Sequence, residues 1–324
     1  MQIKDQVLLC PMLNGSICNL IDQSMRLDIR IAKRFICSLN KYVQNYKDHQ
    51  QKLESKNWAK LFETNDSIKV ELEPDLYIYH FKDSELSKMI YKGFEKDEIQ
   101  FVKNYLKIGD TFFDIGANVG LYSIVAAKIV GNKGKVFAFE PTPTTFSRLL
   151  MNVSLNDFSD IVICNNIGLS DKAGTLRMNV SSCGYDAWNT FALSNKGILD
   201  TQIDVPVETL ESYIRNNNIS HDHIALLKID VEGWEKFVIL GAEDLLKKDN
   251  APALIVEFTE ENAFIAGTNC YELYDLIVSF GYKWYKYDTI NNQLIPEPKK
   301  LHYPYLNLIA IKDFAKVPER LLNR

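Results

Sequence analysis

The feature that most constrains this chain is a repeated alternation, from residue 111 onward, of short apolar β-rich runs with stretches of helical spacing. Strands are expected over 111–115, 135–139, 161–164, 224–229 and 253–258. Helices are expected over 121–129, 144–156, 208–216, 234–247 and 271–280. Strands joined by helices of this length demand a largely parallel sheet with both faces covered, because only a crossover helix returns the chain to the same edge. Two extended pieces, 175–180 and 202–207, flank a polar loop. The last two strand candidates, 282–287 and 306–311, have no helix between them and are expected to pair antiparallel at the sheet edge. No repeat or low-complexity linker divides residues 94–324, so they read as one α/β domain. Residues 1–93 read as an extension. It holds apolar positions at mostly helical spacing over 20–62, then two β-rich runs around Pro74-Asp75 that predict a hairpin.

The most informative segment is TFFDIGANVGLYS, where a strand ends at Asp114-Ile115 and the turn Gly116, Ala117, Asn118, Gly120 leads into a helix. Small residues here let a ligand approach the backbone, and the helix start offers unpaired N–H donors. A dinucleotide site expects GxGxxG, so that a pyrophosphate can sit on the helix N-terminus. This chain has GxNxG with an acid two residues earlier, which repels a pyrophosphate and suits the cationic amino-acid end and sulfonium of S-adenosylmethionine. The next strand, KVFAFE, ends in Glu140, an acid placed to accept both ribose hydroxyls. After the third strand, Asn166 and Ile167 stand where an adenine edge would lie.

The stretch LLKIDVEGWE sets Lys228 and Asp230 on one face of the fourth strand, with Glu232 in the turn beyond it and Glu257 at the end of the neighbouring strand. Asp230 is the first candidate for binding a substrate hydroxyl or taking its proton, Glu232 and Glu257 the next, and Lys228 their counter-charge. Each acid also has a structural reading as a cap of the following helix. Neighbouring carboxylates invite a divalent metal, but no His/Asp constellation supports one and no metal ligand is assigned from the sequence. Glu95 and Glu98, ahead of the first core strand, read as helix-starting acids that can approach the cleft. Tyr185, Trp188 and Phe191, in the loop 181–195, are the substrate-facing aromatic candidates. His80 and His302 lie among aromatic residues, but none of the five histidines earns a general-base role.

From Phe94 to Ile311 the chain resembles the FkbM family of methyltransferases, on FEKDE, GDTFFDIGANVGLYS, KVFAFEP, GLSDKAG, VETLESY, LLKIDVEGWE, LIVEF and LNLIAIK. The resemblance implies a class I, Rossmann-like sheet of seven strands with the last antiparallel, S-adenosylmethionine as methyl donor, and oxygen methylation of a sugar, small polar metabolite or glycosylated natural product. It places Asp114, Gly116, Asn118, Gly120 and Glu140 at the donor and maps Lys228, Asp230, Glu232 and Gly233 onto the family's KIDVEG motif. Trp234 stands where many relatives have His, which puts the acceptor in doubt. Peptide side-chain N-methylation and a non-catalytic donor-binding or partner-binding protein are the alternatives.

Composition trims the remaining classes. A net charge of -5 and a pI near 5.7 give no basic footprint for nucleic acid. No run of 18 apolar residues predicts a membrane span, and the start lacks a clear cleavage site. Six cysteines without a CxxC pair point to a reduced, cytoplasmic protein. The partner expected is a small molecule or carbohydrate, and the helical extension can serve as a cap or a homodimer contact.

Overall fold

The computed structural model describes residues 29–180, 191 and 201–321, and the chain divides into two compact units, Met1–Leu61 and Phe62–Arg324. The described part of the first unit is one helix, α1 (Ile29–Lys60), of 32 residues. Tyr42, Tyr46 and Leu53 are exposed on it and, at helical spacing, share one face. The expected apolar positions before residue 29 lie outside the described residues.

The second unit opens with the expected hairpin, β1 (Ser67–Glu73) and β2 (Leu76–Phe81), whose turn holds Asp75 at φ 60°. Two helices follow, α2 (Glu85–Tyr91) and α3 (Lys96–Tyr105). Ser84 caps α2 by accepting from the Ser87 N–H. Then comes the anticipated alternation: β3 (Thr111–Ile115), α4 (Leu121–Val130), β4 (Lys135–Phe139), α5 (Pro143–Leu155) and β5 (Val162–Asn165). Next, β6 (Gly168–Leu169), β7 (Gly174–Val180) and β8 (Thr201–Glu208) build a separate three-stranded sheet in the order β6-β8-β7. The chain continues through α6 (Leu210–Asn216), β9 (Ile224–Ile229), α7 (Glu235–Leu240), α8 (Glu243–Lys247), β10 (Ala253–Phe258), α9 (Glu260–Ile265) and α10 (Cys270–Ser279). It closes with β11 (Lys283–Asp288), β12 (Gln293–Pro296), β13 (Leu306–Ile311) and α11 (Val317–Leu321).

The main sheet runs β12-β11-β13-β10-β9-β3-β4-β5. Its pairings from β5 through β10 are all parallel. This is the expected Rossmann-like arrangement, with β13 antiparallel to both of its neighbours and β12 added as an eighth strand. Two details correct the sequence reading. The final strands do pair antiparallel, yet β13 lies inside the sheet, where β10 and β11 take up the backbone N–H and C=O groups of both its edges and five of its six residues are buried. The helix expected over 234–247 is two short helices. At the break, a Cβ on Gly241 would stand 2.1 Å from the Ser170 carbonyl oxygen, so only glycine lets these backbones approach so closely.

Period-two alternation splits the core over the two faces of the sheet. Phe112, Val136, Ala138, Leu226 and Ile255 pack with α3, α4 and α5, whereas Phe113, Phe137, Phe139, Leu227 and Val256 pack with α6, α7, α8 and α10. The consequence for function is positional. The carboxyl ends of β3, β4, β9 and β10 all point to one edge, where open α/β sheets bind ligands. Among the described residues, no helix is long and apolar enough to cross a membrane. Cys37, Cys164 and Cys270 are free thiols, while Cys10, Cys18 and Cys183 lie outside the described residues.

Candidate active site

A cleft of about 360 Å³ opens at that edge. The turn after β3 forms one wall. Gly116 and Gly120 take positive φ (81° and 89°), as does Asn118 (49°). A Cβ on Gly116 would meet the Asp230 carbonyl oxygen at 1.8 Å, so glycine is required for this turn to lie against the end of β9. The Gly116 and Ala117 N–H groups donate to the Phe139 carbonyl, at 3.1 and 2.9 Å, tying the turn to β4.

Glu140, at the end of β4, lines the cleft although it is only 5 % exposed. Its Oε2 accepts the Asn118 N–H (3.0 Å) and its Oε1 the Thr142 N–H (2.8 Å), which fixes the carboxylate before any ligand arrives. Ile167 lines the same wall, together with Met178 and Phe191. Asn166 stands behind it and donates to the Glu140 and Pro141 carbonyls. Of the loop proposed to face the substrate, Phe191 lies on the cleft and stacks near Trp234, with ring centres 5.6 Å apart; Tyr185 and Trp188 lie outside the described residues.

Asp114 is set one layer further back than a direct ligand contact requires. It is fully buried, is not part of the cleft wall, and accepts a hydrogen bond from Ser123 Oγ at 2.6 Å. Burial pushes its carboxyl pKa up, against the pull of Lys228 and the Ser123 hydroxyl.

The opposite wall carries the acids of β9 and β10. Lys228, 3 % exposed, donates to Asp230 Oδ2 at 2.9 Å and lies 4.8 Å from the centre of the Tyr122 ring. Burial alone would lower its pKa, but Asp230, Asp114 and Glu95 outweigh it and raise the ammonium above its ordinary range. Glu232, at φ 54°, accepts from Asn262 Nδ2 at 2.6 Å. Glu257 is buried, takes a hydrogen bond from Thr259 Oγ1 at 3.0 Å, and is pushed well above the usual carboxylate range by burial and then by Glu232, Asp230 and Glu235. One oxygen each of Asp230, Glu232 and Glu257 lies within 4.8 Å of the others. The four acidic and basic candidates of this wall therefore do converge.

Several participants had little or no sequence signal. Glu235, expected only as a helical residue, is buried and accepts the Val231 and Gly233 N–H groups on Oε1, at 2.9 and 3.1 Å. Burial, partly offset by those donors, raises it to about 7. Glu95 starts α3 at φ 47° without capping it. Instead it lines the cleft and accepts from Tyr122 and Tyr305 hydroxyls, at 2.7 and 2.5 Å, and from Asn307 Nδ2 at 2.6 Å. Tyr305 and Asn307 come from the far end of the chain, so no local pattern could have announced them. Glu98 is raised to about 7, chiefly by burial. His80 is buried away from the cleft, edge-on to Tyr91.

Comparison with known proteins adds to this geometry. The family model described as the methyltransferase FkbM domain matches residues 114–284. The hexuronic acid methyltransferase AglP of Haloferax volcanii is 29 % identical over 156 residues, covering 48 % of this chain and 59 % of that protein. The 31-O-demethyl-FK506 methyltransferase FkbM of Streptomyces tacrolimicus is 30 % identical over 166 residues, covering 43 % and 62 %. The chain thus matches about three fifths of the length of these two curated relatives. Among solved structures, the methyltransferase FkbM of Methylobacillus flagellatus superimposes over 62 % of this chain and 43 % of that one, at 15 % identity and a TM-score of 0.38.

Proposed function

We propose, from the premise that this chain belongs to the FkbM methyltransferase family, that it transfers the methyl group of S-adenosylmethionine to a hydroxyl oxygen of a sugar or other small polar metabolite. The observation that carries this reading is the pairing of Glu140 and the glycine turn with Lys228, Asp230 and Glu257 around a single cleft.

The residues present fit the donor. Glu140 is held by two backbone N–H groups on the cleft wall, where a carboxylate can accept from a pair of ribose hydroxyls. Ile167, Met178 and Phe191 offer an apolar slot for a purine. Among the described residues, Glu95, Glu140, Asp230, Glu232, Glu257 and Glu261 line the cleft beside a single cation, Lys228, a balance that favours a sulfonium and opposes a pyrophosphate. When bound, the donor supplies an electrophilic methyl group for in-line displacement.

The chain's own residues orient the acceptor and move its proton. Asp230, held in place by Lys228, is positioned to accept a hydrogen bond from an acceptor hydroxyl and take its proton. Glu257, buried beside Asp230 and Glu232, retains a proton to higher pH than an ordinary carboxyl when no cation shares the site. The names of two relatives give a hexuronic acid and 31-O-demethyl-FK506 as acceptors, and oxygenated molecules of this kind are the class proposed here.

Calorimetric titration with S-adenosylhomocysteine, with NAD as the paired control, tests the donor assignment. Binding of S-adenosylhomocysteine alone is expected. It is then followed by transfer of labelled methyl groups to a panel of uronic acids, sugars and hydroxylated metabolites. Binding of NAD alone would overturn the reading.

A further inference from the structure

We propose that Asp230, Glu232 and Glu257 form a binding site for one hard divalent cation, Mg²⁺ or Mn²⁺, in the wall of the cleft. Oxygens on opposite sides of such an ion stand about 4 Å apart, and about 5 Å for the larger Ca²⁺. The three carboxylate oxygens lie within 4.8 Å of one another, a span that a Ca²⁺-sized ion bridges directly and that closes by a few tenths of an ångström on the smaller Mg²⁺ or Mn²⁺. Three like charges this close repel strongly unless a cation or protons intervene.

A second observation points to a ligand rather than to a chance cluster. Glu257 is 3 % exposed, and its Oε2 has no hydrogen-bond partner among the described residues. The Thr259 hydroxyl satisfies only its other oxygen, and Glu257 enters no ion pair among the described residues. An acceptor buried in this way and left unsatisfied is costly, and a metal ion satisfies it directly. Across the β10–β13 ladder, Glu257 faces Asn307. The Asn307 Oδ1 is a further buried acceptor without a partner among the described residues. Lys228 neutralises one carboxylate charge by bonding Asp230 Oδ2, but its field is shared with Asp114 and Glu95. Among the described residues, six acids and one ammonium line the cleft.

All three ligands are oxygens and none is His or Cys, which selects a hard cation over Zn²⁺ or Cu²⁺. Three carboxylates leave coordination positions open on an ion of six-fold preference. If the methyl-transfer reading above holds, those positions select acceptors that chelate through two adjacent oxygens, such as a vicinal diol or an α-hydroxy acid.

Titration of the full chain with MnCl₂, following free Mn²⁺ by electron paramagnetic resonance, tests the site. One saturable Mn²⁺ per chain is expected, with MgCl₂ competing. Glu257→Gln and Glu232→Gln are each expected to weaken binding by at least about tenfold, whereas Glu243→Gln, a partly exposed acid on α8 away from the cleft, leaves it unchanged. Thermal melts without metal establish that each variant is folded, and either of the two trio variants suffices. Absence of saturable binding, or equal weakening by Glu243→Gln, would overturn the proposal. S-adenosylhomocysteine binding is read on the same samples by calorimetry, so failure of the donor assignment and failure of the cation site register separately.

Discussion

Asp114 on β3 and Lys228 on β9 are register partners in the parallel ladder, so a carboxylate and an ammonium lie side by side beneath the cleft. Lys228 also reaches forward to Asp230 Oδ2 at 2.9 Å. One buried cation thus serves an acid behind the wall and another in it. Replacing Lys228 with Met strands both, and breaking a buried pair from one side costs about 3–5 kcal/mol. Urea unfolding of Lys228→Met is expected to show a loss of that order, with Asp114→Asn in the same chain restoring part of it. A loss below about 1 kcal/mol would mean that neither Asp114 nor Asp230 relies on Lys228 for its stability in the folded chain.

The Glu140 carboxylate bridges two backbone N–H groups and faces the cleft. Glu140→Ala removes the expected ribose contacts together with the brace on the turn at Asn118. Two hydrogen bonds to a charged group correspond to a weakening of S-adenosylhomocysteine binding of about 100-fold or more. Glu140→Gln keeps the size and part of the acceptor capacity, and is expected to fall between Ala and wild type. A dissociation constant unchanged in calorimetry would remove Glu140 from the donor site.

What the sequence could disclose, and what it could not, divides along range. The parallel sheet, the glycine turn and the end of β4 are local: strand period, helix spacing and GxNxG are written in consecutive residues. The depth of a residue is not. Asp114 has the sequence position of a ligand-binding acid, yet strand alternation directs it at α4 and Ser123. The antiparallel pairing of β11 and β13 is legible, whereas the place of β13 between β10 and β11, inside the sheet and not at its edge, is set by pairing with a strand some fifty residues earlier in the chain. The Glu95 clamp joins residues more than two hundred positions apart, through Tyr305 and Asn307, and only the folded sheet brings them together.

Gly116 offers a sharp test of how closely the turn lies on β9. Its φ of 81° disfavours any side chain, and an added Cβ would press on the Asp230 carbonyl at 1.8 Å. Backbone strain of this kind costs about 1–3 kcal/mol before the clash is counted. Gly116→Ala is therefore expected to destabilise the chain by more than about 2 kcal/mol in urea and to weaken S-adenosylhomocysteine binding. Gly174→Ala, whose added Cβ meets nothing within 4 Å, is the control and should change stability by no more than about 0.5 kcal/mol. Equal effects at the two positions would show that the turn is not held against β9.

His80 links folding to acidity. It is 1 % exposed, beside Tyr91, and burial depresses its pKa from 6.5 to about 4. A group depressed in the folded state binds its proton more readily when unfolded, so acid favours unfolding. The contribution is fully present above pH 6.5 and drains away as pH falls toward 4. At about 1.4 kcal/mol per unit, the loss approaches about 3 kcal/mol at the lower end. His80→Phe removes the titration while keeping an aromatic ring against Tyr91. Urea melts from pH 7.5 to 4.5 are expected to show wild type losing stability more steeply than His80→Phe, with the two curves separating below about pH 6.5. Because every other ionisable group is common to both chains, parallel curves would mean that the imidazole remains hydrated in the folded protein.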